Sequence, residues 1–188
     1  MNVRLTAEPL PDLPRAPRAD RLKSAIVTHY ELVWRVLRRL GVADAAVEDA
    51  AQQVLIVLSN RIDDVRIGAE RAFMVATATR VAADFRKKRA RTPEDLDPDA
   101  LDAAPGLAPL ADDALDRRRA RRWLDVVLSE MPDELRPVFV LFELEDMTMA
   151  TIAELLNLPP GTVASRLRRA RANFEAAANK LTQPGNRS

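Results

Sequence analysis

The residues best suited to chemistry in this chain are four arginines in the stretch LPPGTVASRLRRAR, residues 158–171. A guanidinium group donates hydrogen bonds in a planar fork that matches phosphate oxygens and the O6 and N7 atoms of guanine. Two prolines and a glycine stop the preceding helix, and Thr162 is suited to restart it. The new helix has an apolar side that holds Val163, Leu167, Ala170 and Phe174. Its other side holds Thr162, Ser165, Arg166, Arg169 and Asn173. The stretch therefore predicts a helix that lies on a negatively charged surface.

A shorter helix is predicted just before this one. Thr148 can cap a helix that runs to about Leu156, with Ile152, Ala153 and Leu156 facing inward. Asn157 tolerates the left-handed backbone conformation and stands where the chain must turn. Two such helices, the second basic on its free side, form a helix-turn-helix whose second helix enters the major groove of DNA. A solvated basic helix in an α-hairpin is the alternative that the spacing alone leaves open.

The composition excludes several classes of catalytic and metal site. The chain has no cysteine and one histidine, His29, so it lacks disulfides, Cys/His zinc sites and Cys or His triads. The sequence has no paired carboxylates, no Gly-rich phosphate loop and no nucleophile elbow, and its Asp-rich stretch lacks the spacing of a calcium loop. We therefore expect no catalytic residue, no metal and no cofactor, in a protein that is not an enzyme.

The sequence also carries information about location. The longest apolar run, VLIVL at 54–58, is far shorter than the roughly 20 residues that a membrane helix needs. The first twenty residues have no hydrophobic block of the kind found in secretory signals. The absence of cysteine fits a reducing compartment. These observations favour a soluble cytoplasmic protein without membrane insertion.

Helical periodicity dominates the remaining elements. One helical face carries Ile26, Tyr30, Val33, Leu37 and Leu40. Gly41 ends that helix, and Asp44 is a plausible N-cap for a second helix at about 45–59. A loop at 60–69 and a third helix at roughly 70–90 follow. Because no run alternates with period two, the expected fold class is all-α, with two small helical domains joined by an acidic, Pro-rich linker.

Charge and proline content set the expected domain boundaries. Residues 92–116 contain eight acidic residues, four prolines and no basic residue, which is typical of a linker. The basic runs RKKRAR at 86–91 and RRRARR at 117–122 flank it. The expected divisions are a disordered tail at 1–19, a helical domain at 20–91, the linker at 92–116, a helix-turn-helix domain at 117–182 and a tail at 183–188.

The second and third helices each carry a free stripe. On the second, Val47 and its apolar neighbours face one way, and the opposite stripe holds Asp49, Gln52, Gln53 and Ile56. On the third, the apolar face begins at Met74, and a separate stripe holds Thr77, Arg80, Asp84, Lys87 and Arg91. The aromatic residues Tyr30, Trp34 and Trp123 stand at positions that predict core packing. From the residues alone, the stripe on the second helix is an ordinary wet face with one exposed isoleucine.

The segment MPDELRPVFVLFELEDMTMATIAELLNLPPGTVASRLRRARANF resembles region four of bacterial RNA polymerase sigma factors. VEDAAQQVLIVLSNR at 47–61 and AFMVATATRVAADFRKKRAR at 72–91 resemble region two. A short linker joins the two regions, and regions one and three have no counterpart, which is similar to the extracytoplasmic-function (ECF) branch. The chain has Thr151 where the family often has Glu, and Phe73 where it often has Trp. The resemblance covers about 135 of the 188 residues.

The resemblance implies three sets of binding residues. Upstream promoter contacts are implied for Thr162, Ser165, Arg166, Arg168, Arg169 and Arg171. Arg168 and Arg169 align with base-reaching positions, and Arg166 and Arg171 with phosphate contacts. Downstream promoter contacts are implied for Phe73, Thr77, Arg80, Asp84 and Lys87. Polymerase contacts are implied for Asp49, Gln52, Gln53 and Ile56.

The partners that follow from the resemblance are core RNA polymerase, through its β′ clamp helices and β subunit, and promoter DNA. An anti-sigma factor is a further candidate partner. With few aromatic residues near Phe73, the chain is expected to open DNA strands weakly and to need a well-matched promoter. Two alternatives remain at this point. One is a stand-alone helix-turn-helix transcriptional regulator, and the other is a helical adaptor that sequesters a polymerase component.

Overall fold

The computed structural model describes residues 17–91 and 111–182. The predicted disorder of residues 1–16, most of the predicted linker (92–110) and the tail at 183–188 lie outside the described residues. The helices are α1 Arg18–Arg39, α2 Asp44–Arg61, α3 Glu70–Arg91, α4 Ala111–Glu130, α5 Arg136–Phe139, α6 Met149–Leu156 and α7 Pro160–Thr182. A short π-helix, Val140–Leu144, continues α5. The described ranges contain no strand, and the expected all-α fold is confirmed.

Helices α1, α2 and α3 form a bundle in which each packs on the other two. The predicted apolar face of α1 is buried at Val33, Leu37 and Leu40, and α2 contributes fully buried Val47 and Val54. Gly41 lies in the turn between α1 and α2. Its φ of +89° is a left-handed conformation that glycine adopts without strain. The bundle fixes which sides of α2 and α3 remain free for other molecules.

Helices α4, α5 and α6 all pack against α7. Phe174 of α7 stacks on Phe139 at a ring separation of 4.8 Å and meets Trp123 edge-on at 5.8 Å. Aromatic pairs of this kind contribute about 0.5–1.5 kcal/mol beyond the area they bury. They hold the long α7 against the rest of the C-terminal half, so its opposite side is left free.

Several boundaries differ from the sequence-based expectation. Helix α1 begins at Arg18 and α4 at Ala111, so residues assigned to the tail and the linker are helical. Acidic and alanine residues suit the first turns of α4, which explains its early start. Asp44 is the first residue of α2 and makes no capping hydrogen bond; its carboxylate pairs with Arg38 at 3.1 Å instead. The prediction of Asp44 as an N-cap was therefore wrong.

One aromatic prediction was also wrong. Trp34 was expected in the core, but it is 37% exposed on α1. Its indole ring lies under the guanidinium of Arg38, 5.2 Å from the ring centre, a cation–π contact that is available at the surface. Tyr30 and Trp123 are half-buried, in keeping with their expected packing role.

The two halves of the chain pack on each other through α3 and α6. Helix α3 buries a second stripe, Val75, Thr79 and Ala82, beside the apolar stripe predicted from the sequence. These residues and Ile152 of α6 are fully or almost fully buried, and the apolar ones belong to one continuous core cluster that extends through both halves. The two helical halves of the predicted two-domain layout thus share apolar contacts in the described residues.

Candidate promoter-binding and polymerase-binding surfaces

The helix-turn-helix begins with a capped α6. Thr148 precedes the helix, and its hydroxyl oxygen accepts a hydrogen bond from the backbone N–H of Thr151 at 3.2 Å. The two threonine hydroxyl groups also lie 2.9 Å apart. A capping box would have an acid at the position of Thr151. Here a hydroxyl pair replaces it, and the predicted cap at Thr148 is confirmed.

The turn after α6 has the geometry that the asparagine predicted. Asn157 has φ 51° and ψ 51°, in the left-handed region. The N–H of Leu158 donates to the carbonyl of Ala153 at 2.9 Å, and the N–H of Asn157 donates to Glu154 at 3.2 Å. This pair of bonds is a Schellman motif, which satisfies the last carbonyls of the helix. It sets the direction in which the chain leaves α6.

Helix α7 starts two residues earlier than expected. The sequence indicated that Pro160 and Gly161 keep the chain out of a helix until Thr162, but α7 begins at Pro160. Proline is favoured in the first helical turn because its missing N–H would have no partner there. The backbone N–H groups of Thr162 and Val163 donate to the carbonyl of Pro159, at 2.9 and 3.1 Å. The two prolines therefore start the second helix as well as separating it from the first.

The buried side of α7 falls where the periodicity predicts, but Asn173, predicted on the free side, is half-buried with its Oδ1 enclosed, and that assignment is corrected. The buried side consists of Val163, Leu167, Ala170 and Ala177, with Phe174 half-buried. Ser165, Arg168 and Arg169 are exposed, and Thr162 and Arg166 are half-buried. The first three turns of α7 thus present hydroxyl and guanidinium groups, which can bind phosphates and base edges.

The arginines of α7 differ in their partners. Arg171 donates to Glu143 at 2.6 Å and lies over the ring of Phe142, 5.4 Å from its centre. Arg169 pairs loosely with exposed Glu134 at 3.5 Å. Among the described residues, no carboxylate lies within ion-pair distance of Arg166 or Arg168. The positive charge on α7 is therefore least compensated at its second and third turns.

The downstream stripe on α3 is only partly at the surface. Arg80, Asp84 and Lys87 are exposed, as the helical wheel predicts. Thr77 is buried, with 6% exposure, and its hydroxyl donates to the carbonyl of Phe73 at 2.8 Å. Since the hydroxyl is already used within the helix, the assignment of Thr77 to the free stripe is corrected. Phe73 is half-buried and packs against the core.

The loop before α3 carries a residue that the sequence reasoning did not single out. Ile67 is 63% exposed, next to Gly68 with a φ of +84°. The same loop holds Ile62 and Val65, which are buried, so the sequence carries no local signal that separates Ile67 from them. The exposed side chain of Ile67 adds apolar surface to the loop at 60–69, the segment expected to contact the downstream element.

The free stripe of α2 is exposed along its whole length. Asp49, Gln52 and Gln53 are at the surface, and Ile56 is 59% exposed. Val57, which the sequence reasoning left out, is exposed as well. Two neighbouring aliphatic side chains on a polar face form a small patch suited to a protein partner.

The half-buried His29 has a lowered pKa, because burial and the charge of Arg71 both disfavour its protonated form, against the opposing effect of Glu70.

Within 17–91 and 111–182, no group of three His, Cys, Asp or Glu side chains could hold a metal ion. None of the helices described is long and apolar enough to cross a membrane.

A buried charge cluster between the halves was not foreseen. Glu145, just after the π-helix, is 4% exposed and accepts hydrogen bonds from Arg35 and Arg39 of α1. Its hydrogen bond raises the pKa of Arg35. The partners lie more than a hundred residues apart in the sequence, so no local pattern could have paired them.

Family comparisons agree with both halves of this architecture. The family model for sigma-70 region 2 matches residues 25–92, and the model for sigma-70 region 4 matches residues 121–174. The exposed stripe of α2, the stripe of α3 and the helix-turn-helix all fall inside these ranges. The chain belongs to the sigma-70 family, whose members are transcription initiation factors rather than enzymes.

Similar proteins narrow the assignment to a branch of that family. The chain is 25% identical over 143 residues to the ECF RNA polymerase sigma factor SigE of Mycolicibacterium smegmatis, covering 76% of this chain and 56% of the relative. It is 28% identical over 152 residues to the ECF RNA polymerase sigma factor SigW of Bacillus subtilis, covering 76% of this chain and 78% of the relative. Both relatives are ECF sigma factors, and the two-region layout of this chain is similar to that branch of the sigma-70 family.

Solved structures share the fold. The sigma factor RpoE from Bartonella quintana, solved in complex with the anti-sigma factor NepR, matches with a TM-score of 0.65 and 18% identity, covering 87% of this chain and 98% of that one. CnrH, solved in complex with the cytosolic domain of CnrY, matches with a TM-score of 0.61 and 20% identity, covering 85% and 88%. Each match covers more residues than either half contains, so it includes parts of both.

Proposed function

We propose that this sigma factor binds core RNA polymerase and directs it to specific promoters, where it reads an upstream element as duplex and helps to open a downstream element. The observation that carries the proposal is the free side of α7. Ser165, Arg168 and Arg169 are exposed on the second helix of a helix-turn-helix, opposite a fully packed side. This arrangement supports entry of the first turns of α7 into a major groove.

In this proposal the arginines of α7 have different roles. Arg168 and Arg169 reach base edges, where a guanidinium can donate to guanine O6 and N7. Arg166 contacts a phosphate and adds sequence-independent affinity. Arg171 contributes less to phosphate binding than its position implies, because Glu143 already compensates its charge at 2.6 Å. Thr162 supports the same surface from the first turn.

The downstream element is contacted by α3 and the loop before it. Arg80 and Lys87 bind the backbone, and Asp84 accepts hydrogen bonds from bases in an opened strand. A base leaving the stack costs a few kcal/mol and needs an apolar contact. Ile67 provides exposed apolar surface there, and Phe73 a half-buried ring. With few aromatic groups on this surface, the factor requires a well-matched promoter.

The α2 stripe is the proposed docking surface for the β′ clamp helices. Ile56 and Val57 are exposed beside Asp49, Gln52 and Gln53. A partner that covers this patch desolvates the two aliphatic side chains, and anchors of this kind dominate binding energy at interfaces. The C-terminal half is proposed to contact the β subunit.

The decisive experiment adds the purified protein to sigma-free core polymerase and measures promoter-specific transcripts together with core affinity. The variant Gln53→Ala/Ile56→Glu should stay folded, because both side chains are exposed and surface changes usually cost less than about 0.5 kcal/mol. It should lose most core affinity and transcription, since a charge enters a desolvated patch. Val27→Glu on α1 is the matched control, an exposed aliphatic residue away from the stripe, 75% exposed.

Two results would contradict parts of this proposal. If the double variant binds core as tightly as the wild-type protein, the docking surface is elsewhere. If the wild-type protein binds DNA but has no affinity for core polymerase, it acts as a stand-alone helix-turn-helix regulator. An anti-sigma factor remains a proposed further partner, supported by the Bartonella factor of similar fold that was solved with one.

A further inference from the structure

We propose that Arg21 of α1 is a positioning residue for downstream promoter recognition, because its guanidinium holds both ends of the short loop that presents Ile67 to an opened DNA strand. We define the recognition loop as residues 65–70. The inference rests on the function proposed above, in which the segment before α3 contacts the downstream element. Arg21 does not contact DNA in this proposal and acts only through the loop.

The tip of the recognition loop is a tight turn with Ile67 and Gly68 at its centre. The N–H of Ala69 donates to the carbonyl of Arg66 at 2.9 Å, which closes the turn. Gly68 has a φ of +84°, close to the value that a type II turn requires at its third residue. A Cβ on Gly68 would meet no other part of the described fold within 4 Å, so glycine serves the backbone conformation rather than a close approach. The turn leaves the Ile67 side chain exposed.

The guanidinium of Arg21 reaches both ends of this loop. Its Nη2 donates to the carbonyl of Val65 at 2.5 Å, and its Nε donates to the carboxylate of Glu70 at 2.7 Å. Its Nη1 donates at 2.9 Å to the carbonyl of Ile62, the residue that follows α2. The last carbonyls of a helix lack partners within the helix, so a side-chain donor is well placed there. One side chain of α1 therefore joins the end of α2 to the first and the last residue of the loop.

These contacts are sheltered from water. The side chains of Arg21 and Glu70 are 18% and 13% exposed, and charge-assisted hydrogen bonds are shorter and stronger than neutral ones. Burial alone would raise the pKa of the Glu70 carboxyl, but hydrogen bonds from backbone N–H groups and from Arg21 lower the pKa overall. One of those N–H groups belongs to Gly68, so the carboxylate also holds the turn from within. The side chain of Val65 is buried, which fixes the first residue of the loop from the opposite side.

Anchoring of the loop ends matters because the tip is not packed. The side chain of Ile67 is exposed, so the core cannot hold it in place. Groups that recognise a ligand must be kept within about 0.5 Å of their productive position. Loss of the Arg21 contacts should let the loop adopt other conformations and weaken its preference for one base over another. The exposed stripe of α2 takes no part in these contacts, so binding to core polymerase should be unchanged.

Arg18 provides a matched control on the same helix. It lies one turn before Arg21 and donates to the carbonyl of Ser59 and to the carboxylate of Asp63. Both acceptors precede the recognition loop, and the side chains of the pair with Asp63 are 53% and 69% exposed. Exposed ion pairs of this kind contribute little to stability. Arg18→Gln therefore removes a neighbouring arginine and leaves both ends of the loop attached.

Hydrogen exchange of the full chain tests the anchoring without polymerase or DNA. In Arg21→Gln, the backbone amides of Gly68 and Ala69 should exchange at least about tenfold faster than in the wild-type protein, because the loop opens more often. Arg21→Lys should have an intermediate effect, since an ammonium group keeps the charge but lacks the planar fork that reaches three acceptors. Arg18→Gln should leave both amides unchanged. Wild-type exchange in Arg21→Gln would overturn the proposal.

Base selection by the complex with core polymerase tests the consequence for recognition. The complex is offered single-stranded DNA with randomised bases, and the bound strands are sequenced. At the position whose selection Ile67→Ala weakens, Arg21→Gln should lower the ratio of the most to the least favoured base at least about fivefold, with core affinity unchanged. The variant Arg21→Gln/Ile67→Ala should lose no more than Ile67→Ala alone, because both residues act on one contact. Arg18→Gln should select bases as the wild-type protein does.

The outcomes separate this inference from the proposed function. If the wild-type complex selects no base, downstream recognition fails and the positioning role fails with it. If the wild type selects a base and Arg21→Gln selects it equally, only the positioning role is wrong. A uniform loss of core affinity and DNA binding in Arg21→Gln, with unchanged base ratios, would show that Arg21 only stabilises the bundle. If Arg21→Gln does not fold, Glu70→Gln decides in its place, since it removes the charge at the last residue of the loop.

Discussion

Truncation of Leu167 tests the packing on which the DNA-reading surface depends. Leu167 lies on the buried side of α7, is 4% exposed and belongs to the same core cluster as Ile152 of α6. Leu167→Ala removes three carbons from that cluster. The free side of α7 is not altered, so the change addresses stability rather than DNA recognition.

The expected cost follows from burial and from the surroundings of the site. Buried leucine-to-alanine changes cost about 2–5 kcal/mol, and the cost rises with the volume left empty. Leu167 borders an open groove between α6 and α7, lined also by Met149 and Ala164. Because water and these side chains can occupy part of the space, we expect about 2–3 kcal/mol, in the lower part of the range.

Urea unfolding of the full chain, followed by circular dichroism, measures this cost. With a slope of about 1–3 kcal/mol per molar urea, the midpoint should fall by about 1 M or more. Met149→Ala, at a residue 42% exposed in the same groove, should lower it much less. Equal midpoints for Leu167→Ala and wild type, or equal losses in the two variants, would refute the packing described for α7.

Three further results are expected. Arg168→Ala should reduce discrimination at one base pair of the upstream element by about 1–3 kcal/mol. Glu143→Gln should strengthen binding to all DNA sequences alike, and the slope of log affinity against log salt concentration should steepen by about one unit. Binding titrations across salt concentrations measure both effects. Asn157→Ala should lower stability by about 1–2 kcal/mol and Asn157→Gly by much less, because only the former is strained in the left-handed conformation, and urea unfolding compares them. The pKa of His29 is lowered in the folded protein, so its contribution to stability is complete above about pH 6.5 and is lost as the pH falls below that value. His29→Gln should therefore lose less free energy of unfolding between about pH 7.5 and 5.5 than the wild-type protein does.

The helix-turn-helix could be predicted closely because its determinants are local. Thr148 caps α6, Asn157 adopts the left-handed turn, and the spacing of apolar residues selects the buried side of α7. Each of these effects acts within about one helical turn, so the sequence contains it directly. The one local error, at Pro160, has a local cause, because proline is tolerated in a first turn as readily as it is excluded from a helix interior.

The free stripes were predicted less well, because their exposure depends on distant contacts. The wheel of α3 gave one buried side, but α3 packs on α1, α2 and α6, and a second stripe at Val75, Thr79 and Ala82 is buried as well. Thr77 is buried on the other flank of α3 for the same general reason, since a helix between neighbours is covered on more than one side. Trp34 was assigned to the core on its helical position, but in the fold it is exposed on α1 and the guanidinium of Arg38 covers its ring.

The charge pattern of the sequence alone could not distinguish arginines that join the two halves of the chain from arginines that can bind DNA. Arg39 and Arg168 are the same residue type on amphipathic helices, yet Arg39 reaches a buried carboxylate at 2.5 Å and Arg168 has no acidic partner among the residues described. Arg39 is occupied because Glu145 lies within its reach in the fold. In the sequence, Glu145 is only one of three acidic residues in FELED, residues 142–146. Arginines that already pair with carboxylates or carbonyls of the fold have little charge left for DNA. Only the remaining arginines of a basic helix face make it a candidate for DNA binding. By that criterion the free charge on α7 centres on Arg166 and Arg168, with Arg169 loosely paired, so substitutions there should affect DNA binding more than a substitution of Arg171.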